Sequence, residues 1–212
     1  MLIEVFSDVI CPWCYIGKRR LERALAADGT GDVEVRWRAY QLNPNIPPEG
    51  MDRAEYVRRR FGPGGMRPGI YDRIAAEGAR EDIAFDFGAQ KRMPNTLDAH
   101  RLIGFAADAA IQNALVEVLF RFNFCEGRDV GDREVLVQAA AQAGLDAGAA
   151  RAHLEDPAAG RDAFEHDIAT AREEEIAGVP TFVLQRRFAV QGAQEADTLR
   201  MLVQRARERL VD

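Results

Sequence analysis

Leu2-Ile3-Glu4-Val5-Phe6-Ser7-Asp8-Val9-Ile10-Cys11-Pro12-Trp13-Cys14-Tyr15-Ile16-Gly17-Lys18-Arg19 decides how the rest of the chain is read. The apolar run Leu2–Phe6 predicts a buried strand, and the residues from Pro12 onward predict a helix. Proline suits the first helical position, where its missing N–H is not needed and its fixed φ already fits. Cys11 then stands at the helix N-terminus, facing unpaired N–H groups and the positive end of the macrodipole. Both favour a thiolate, the form that attacks disulfides. Cys14, one turn on, is placed to close a disulfide with Cys11 and release whatever is attached to it. A zinc site is the rival reading, but it needs two further Cys or His ligands at comparable spacing. The other candidates, Cys125, His100, His153 and His166, are not paired at short spacing, so no metal is expected.

The 212 residues suffice for one large domain or a domain with a sizeable insertion. A hydrophobic fraction of 47% and a charged fraction of 29% are ordinary for a globular protein. The net charge of −6 argues against nucleic acid or an anionic membrane surface as partner. Arg58-Arg59-Arg60 reads as a solvated helix face. No segment is long and apolar enough to span a bilayer, and no charged n-region or h-region precedes Leu2. Three cysteines cannot form a disulfide framework, which fits a reducing compartment and predicts a cytoplasmic protein.

Along the chain, Tyr15 to Ala27 places Ile16, Leu21, Ala24 and Leu25 on one helical stripe, and Asp28-Gly29-Thr30-Gly31-Asp32 is a turn by composition. Val33-Glu34-Val35-Arg36-Trp37 alternates as a half-buried strand does, so a parallel β-α-β start with a right-handed crossover is expected. Tyr40 to Gly50, with three prolines, leaves the sheet. The next hundred residues and more contain no convincing strand. Arg53–Phe61 and Ile70–Ala79 read as helices around the loop Gly62–Gly69, and Ile83–Phe87 as an extended connector. Four helices follow: one capped by Asn95 or Thr96 and carrying His100, Gln112–Glu126, Val135–Ala143 capped by Asp132, and Asp146–Glu155. Ala158–Ile176 is a longer helix. Thr181–Leu184 and Arg187–Val190 then read as strands, and the last helix carries Leu199, Leu202, Val203 and Leu210.

The expected architecture is α/β: a β-α-β plus β-β-α sheet from residues 1–45 and 165–212, with a helical insertion over 46–164. Gly178-Val179-Pro180-Thr181 gains weight from its place at the return to the sheet, since proline sits at the first residue of a strand or at an edge. In a thioredoxin-type sheet this loop lies beside the Cys-x-x-Cys with its X-Pro bond cis, a geometry that costs little before proline. It would leave the Val179 backbone free to pair with an extended substrate. A trans proline that merely starts a strand is the plainer alternative.

Cys11-Pro12-Trp13-Cys14-Tyr15-Ile16-Gly17 with Gly178-Val179-Pro180-Thr181 resembles the DsbA-like branch of the thioredoxin superfamily, and within it the FrnE-like proteins. Leu42-Asn43-Pro44, Asn95-Thr96, Ala99-His100-Arg101-Leu102, Glu126 to Val130 and Gly192-Ala193-Gln194 extend the resemblance over nearly the whole chain. It implies a thioredoxin fold with a helical insertion and a dithiol–disulfide oxidoreductase or isomerase. By that pattern Cys11 is the nucleophile, Cys14 the resolving cysteine and Pro180 the cis-proline, with Pro12, Trp13 and Val179 against the substrate. Cys125 departs from the pattern and is expected to be a core thiol, with a third redox cysteine as the sharper alternative.

The expected substrate is a protein or small molecule carrying a disulfide or dithiol. No organic cofactor is needed beyond the Cys11–Cys14 disulfide; glutathione as co-substrate and a homodimeric state stay open. Asp8 is a loop residue that could move the Cys14 proton, and His100 a groove residue or a helix-packing one. His153 and His166 read as exposed. The rival enzyme is a glutathione-dependent transferase or isomerase of the kappa or 2-hydroxychromene-2-carboxylate isomerase type. Those proteins carry serine at the Cys11 position, which weighs against it. A peptide-binding module is the non-enzymatic alternative.

Overall fold

The computed structural model describes residues 1–27, 33–62, 64–65 and 67–209; the turn Asp28–Asp32, part of the loop Gly62–Gly69 and Leu210 lie outside them. Strand β1 (Leu2–Ser7) is the central strand. It pairs in parallel with β2 (Glu34–Ala39), Leu2 opposite Glu34 and Ser7 opposite Ala39. On its other side it pairs antiparallel with β5 (Thr181–Leu184), which continues into β6 (Phe188–Gln191). The sheet order is therefore β2-β1-β5-β6.

The period of two along these strands assigns each face a partner. Ile3, Val5, Phe182 and Leu184 belong to the main core, together with Ile16, Leu21 and Ala24 of α1 (Pro12–Ala27) and Leu199 and Val203 of α9 (Ala196–Glu208). Phe6 and Val183 point to the other face, against Ala171 of α8 (Arg161–Glu173). Glu4 is the one charged residue within β1; it is buried between Arg38, 3.3 Å away, and Arg186 at 3.1 Å.

Between β2 and α8 the chain forms β3 (Met51–Asp52), α2 (Arg53–Phe61), α3 (Ile70–Ala79), β4 (Arg92–Met93), α4 (Leu97–Phe105), α5 (Ala109–Phe124), α6 (Arg133–Gln142) and α7 (Ala147–Glu155). Four of these helices start on an aspartate, Asp52, Asp108, Asp132 or Asp146, whose carboxylate accepts from first-turn N–H groups. Asp108 explains why α5 begins before Gln112. The ladder of β3 and β4 was not expected, because two residues are too few to show a period. Helix α8 is shorter than Ala158–Ile176: Gly160, at φ 71°, precedes its first turn. The insertion shares one continuous core with the sheet, with Leu115, Leu119, Phe120 and Phe122 of α5 wholly buried.

A buried arginine ties the helices of the insertion to one another. Arg101 of α4 donates to the carbonyls of Ala159 (2.7 Å), His153 (3.0 Å) and Asp156. His153, expected to be exposed, is half-buried instead and stacks on Phe105 at 4.6 Å between centroids. Burial lowers its pKa. His166 is exposed, as read from the sequence.

Candidate active site

The loop from β1 into α1 curls tightly. The Cys11 N–H donates to the Asp8 carbonyl (2.9 Å) and the Cys14 N–H to the Cys11 carbonyl (3.0 Å), with Pro12 opening the helix. All three cysteines are free thiols. Cys11 is 5% exposed and Cys14 0%, so only the first can meet a substrate without rearrangement. The Val179–Pro180 peptide is cis, and the Cys11 thiol donates to the Val179 carbonyl across 3.7 Å. The two motifs quoted from opposite ends of the chain therefore share one site. Trp13 is half-buried and packs against the main core.

The two thiols are not equivalent. Burial raises the Cys14 pKa well above the ordinary thiol value, and the hydrogen bond and charge of Cys11 push it further. The Ser7 side chain and the Asp8 backbone act in the opposite direction. Cys14 thus holds its proton, and Cys11 is the more accessible of the two thiols.

Asp8, named from the sequence as a loop residue, is wholly buried. One carboxylate oxygen accepts the Leu42 N–H (2.8 Å) and the other lies 3.3 Å from Nε2 of His100. His100 is buried on α4, so it packs inside rather than lining a groove. Asn123 of α5 donates to the Val9 carbonyl (3.1 Å) and accepts from Gln90 (3.0 Å), fixing the redox loop to the insertion. Sequence reasoning missed Asn123; the signal was a polar residue between Phe122 and Phe124 on an otherwise apolar helix.

Cys125 caps the C-terminus of α5 and is half-buried, not a full core residue. Burial first, then the negative charges of Glu117 and Glu126, raise its pKa. Among the described residues, no group of three or more His, Cys, Asp and Glu is placed to hold a metal ion. None of their helices is long and apolar enough to cross a membrane.

Two depressions are lined in part by the segment Tyr40–Pro44, and one of them reaches the redox loop. A cavity of about 150 Å³ opens beside Ile10 and Pro12, walled by Tyr56, Tyr71, Phe87 and Phe124. A groove of about 300 Å³ lies against Phe164 and Ile168 of α8. A larger groove, about 690 Å³, runs along β2 near Trp37 and touches neither Cys11 nor Cys14, so its size does not mark the chemistry.

A sheet of order β2-β1-β5-β6, with a Cys-x-x-Cys opening α1 against an X-Pro loop, defines a thioredoxin-type protein with a helical insertion. The chain belongs to the DsbA family: the DSBA-like thioredoxin domain matches residues 2–204. A probable DsbA oxidoreductase, SCO1869 from Streptomyces coelicolor, is 35% identical and superposes with a TM-score of 0.87 over 98% of this chain and 90% of its own. A 2-hydroxychromene-2-carboxylate isomerase shares the fold at 21% identity and a TM-score of 0.68, covering 100% of this chain and 96% of its own. The cytosolic disulfide reductase DsbM from Pseudomonas aeruginosa, in a structure with GSH, does so at 20% and 0.66, covering 98% and 100%. The family is one of oxidoreductase-type enzymes acting on thiol or disulfide substrates.

Proposed function

We propose that the protein is a thiol–disulfide oxidoreductase and isomerase in which Cys11 is the nucleophile and Cys14 the resolving cysteine. The observation that supports it most is the pairing of Cys11, the more accessible thiol and 3.7 Å from the Val179 carbonyl, with a wholly buried Cys14 that keeps its proton. The Cys11 thiolate attacks one sulfur of a substrate disulfide, and the other sulfur leaves with the electron pair and takes up a proton. Cys14 then gives up its proton and attacks the Cys11 sulfur, breaking the mixed disulfide. Two electrons pass from the dithiol to the substrate, which leaves as two thiols. Run backwards, the same steps oxidise a substrate dithiol. Pro12, Trp13, Val179 and Pro180 form the surface on which the substrate rests, and no metal or organic cofactor takes part.

The proposal carries a cytoplasmic location with it, where such a disulfide is transient and glutathione is at hand as a co-substrate. Cys11→Ser is expected to abolish the reduction of insulin by the protein in the presence of dithiothreitol; retained activity would sink the proposal. The glutathione transferase reading has the shared fold behind it, but both cysteines here supply the chemistry that glutathione's thiol would otherwise bring. Saturable, non-covalent binding of glutathione to Cys11→Ser would revive that reading.

A further inference from the structure

The cavity beside Pro12 has a one-sided chemistry. Its floor is aromatic and aliphatic, two arginines, Arg53 and Arg92, enter it, and no aspartate or glutamate lines it. Arg92 is engaged by Asp129 at 3.4 Å and by the Glu49 carbonyl. Arg53 has no carboxylate partner among the described residues, in a chain whose net charge is −6. Its guanidinium donates to the Tyr71 hydroxyl (2.7 Å) and lies 5.0 Å from the centre of that ring. Burial raises the Tyr71 pKa, so the hydroxyl anchors the cation without neutralising it. Arg53 is also the first residue of α2, where a positive charge opposes the helix macrodipole. Asp52 and Glu55 complement the helix end, and Tyr71 holds the guanidinium, but among the described residues no carboxylate pairs with it, so the cation stays free to meet an anion.

We propose that this cavity is a recognition subsite for a carboxylate next to the reacting sulfur, held by Arg53. The preferred substrates are then anionic disulfides with one apolar group beside the charge. A volume of about 150 Å³ takes a single ring or aliphatic side chain, and Ile10 and Pro12, which flank Cys11, form part of its wall. An apolar group seated there leaves its carboxylate at the Arg53 fork, whose planar N–H donors match a carboxylate. The same chemistry comes from a small carboxylate-bearing disulfide or from an acidic residue beside a cysteine in a polypeptide.

The inference rests on exchange at Cys11, and its test separates the two. Reduced protein is mixed with an anionic aromatic disulfide (the bis-nitrobenzoate), a neutral one (dipyridyl disulfide) and a cationic one (cystamine), and the rate of Cys11 modification is followed. A second arm uses disulfide peptides with Asp or Asn beside the cysteine. Arg53→Gln is expected to lower the anionic-to-neutral rate ratio by about tenfold, the scale of one charge-assisted hydrogen bond at a partly exposed site. Arg53→Lys is expected to restore part of it. Arg151→Gln, on the surface of α7, leaves the ratio unchanged, and added salt shrinks it in the wild type. A ratio that moves only with the small disulfides assigns a small-molecule substrate, and one that moves only with the peptides a polypeptide. If Arg53→Gln does not fold, Tyr71→Phe, which frees the guanidinium from its anchor, is expected to lower the same ratio several-fold. An unchanged ratio in a variant that still exchanges overturns the inference and leaves the oxidoreductase reading standing. If no disulfide modifies the wild type, both fail.

Discussion

The Cys11 thiol and the Val179 carbonyl, 168 positions apart in the chain, meet at 3.7 Å. Their approach depends on how closely α1 and the Val179–Pro180 loop pack. A Cβ on Gly17 would stand 2.9 Å from Cγ of Pro180 and 3.2 Å from Cζ of Phe182.

Gly17→Ala is therefore expected to destabilise the protein and slow exchange together. Alanine gains about 1 kcal/mol of helix propensity over glycine. Overpacking against a rigid proline ring costs about 1–3 kcal/mol and wins. Urea denaturation should show a lower midpoint, and the rate of Cys11 modification by a disulfide should fall. A more stable variant with the wild-type rate would contradict the packing argument.

Cys14→Ser should hold the substrate on Cys11 as a mixed disulfide, visible as a stable mass adduct on the peptide that contains Cys11. In the wild type the release of that adduct is expected to accelerate with pH. Burial raises the Cys14 pKa, so below it the attacking thiolate fraction grows roughly tenfold per pH unit. A flat release rate between about pH 6 and 9 would mean that the Cys14 proton does not limit the step.

Asp8 and His100 form a wholly internal pair, with the Leu42 N–H on the other carboxylate oxygen. Asp8→Ala is expected to cost about 3 kcal/mol, because it leaves the buried His100 imidazole without its partner and the Leu42 N–H without its acceptor. His100→Ala should cost less when Asp8 is already gone. A double-mutant cycle in urea that shows additive effects would mean the two do not act as a pair.

Much of this was legible in the sequence because the signals were local. Pro12 inside the Cys-x-x-Cys, the period of two in β1 and β2, and the aspartate that starts α6 each act within a few residues. Val179 and Pro180 were legible for a different reason, their position at the return to the sheet. What was hidden depends on partners far along the chain. Nothing near Asp8 announces His100, and nothing near Arg20 announces that it lies buried between Glu81 (2.8 Å) and Glu77 (2.7 Å). The aromatic cavity is assembled from α2, α3, the connector that carries Phe87, and α5, so no single window of sequence contains it.

Arg20 illustrates the cost of such hidden pairing. It joins α1 to α3 and also donates to the Ala193 carbonyl (2.7 Å) ahead of α9. Arg20→Gln leaves Glu81 buried with only Arg23 at 2.8 Å. A loss of about 2–3 kcal/mol in urea denaturation is expected, somewhat below the usual range for a broken buried pair because Arg23 remains. No measurable change would show that Arg23 alone satisfies the carboxylate.

The central claim is that Cys11 and Cys14 form a reversible redox couple, and a glutathione redox titration with peptide mapping of all three cysteines tests it most directly. A Cys11–Cys14 disulfide should close and open with a single two-electron transition at a definite potential. Cys125, whose thiol burial and Glu117 hold in the protonated form, should stay unmodified. If the pair never closes at any ratio of oxidised to reduced glutathione, the protein is not a dithiol catalyst.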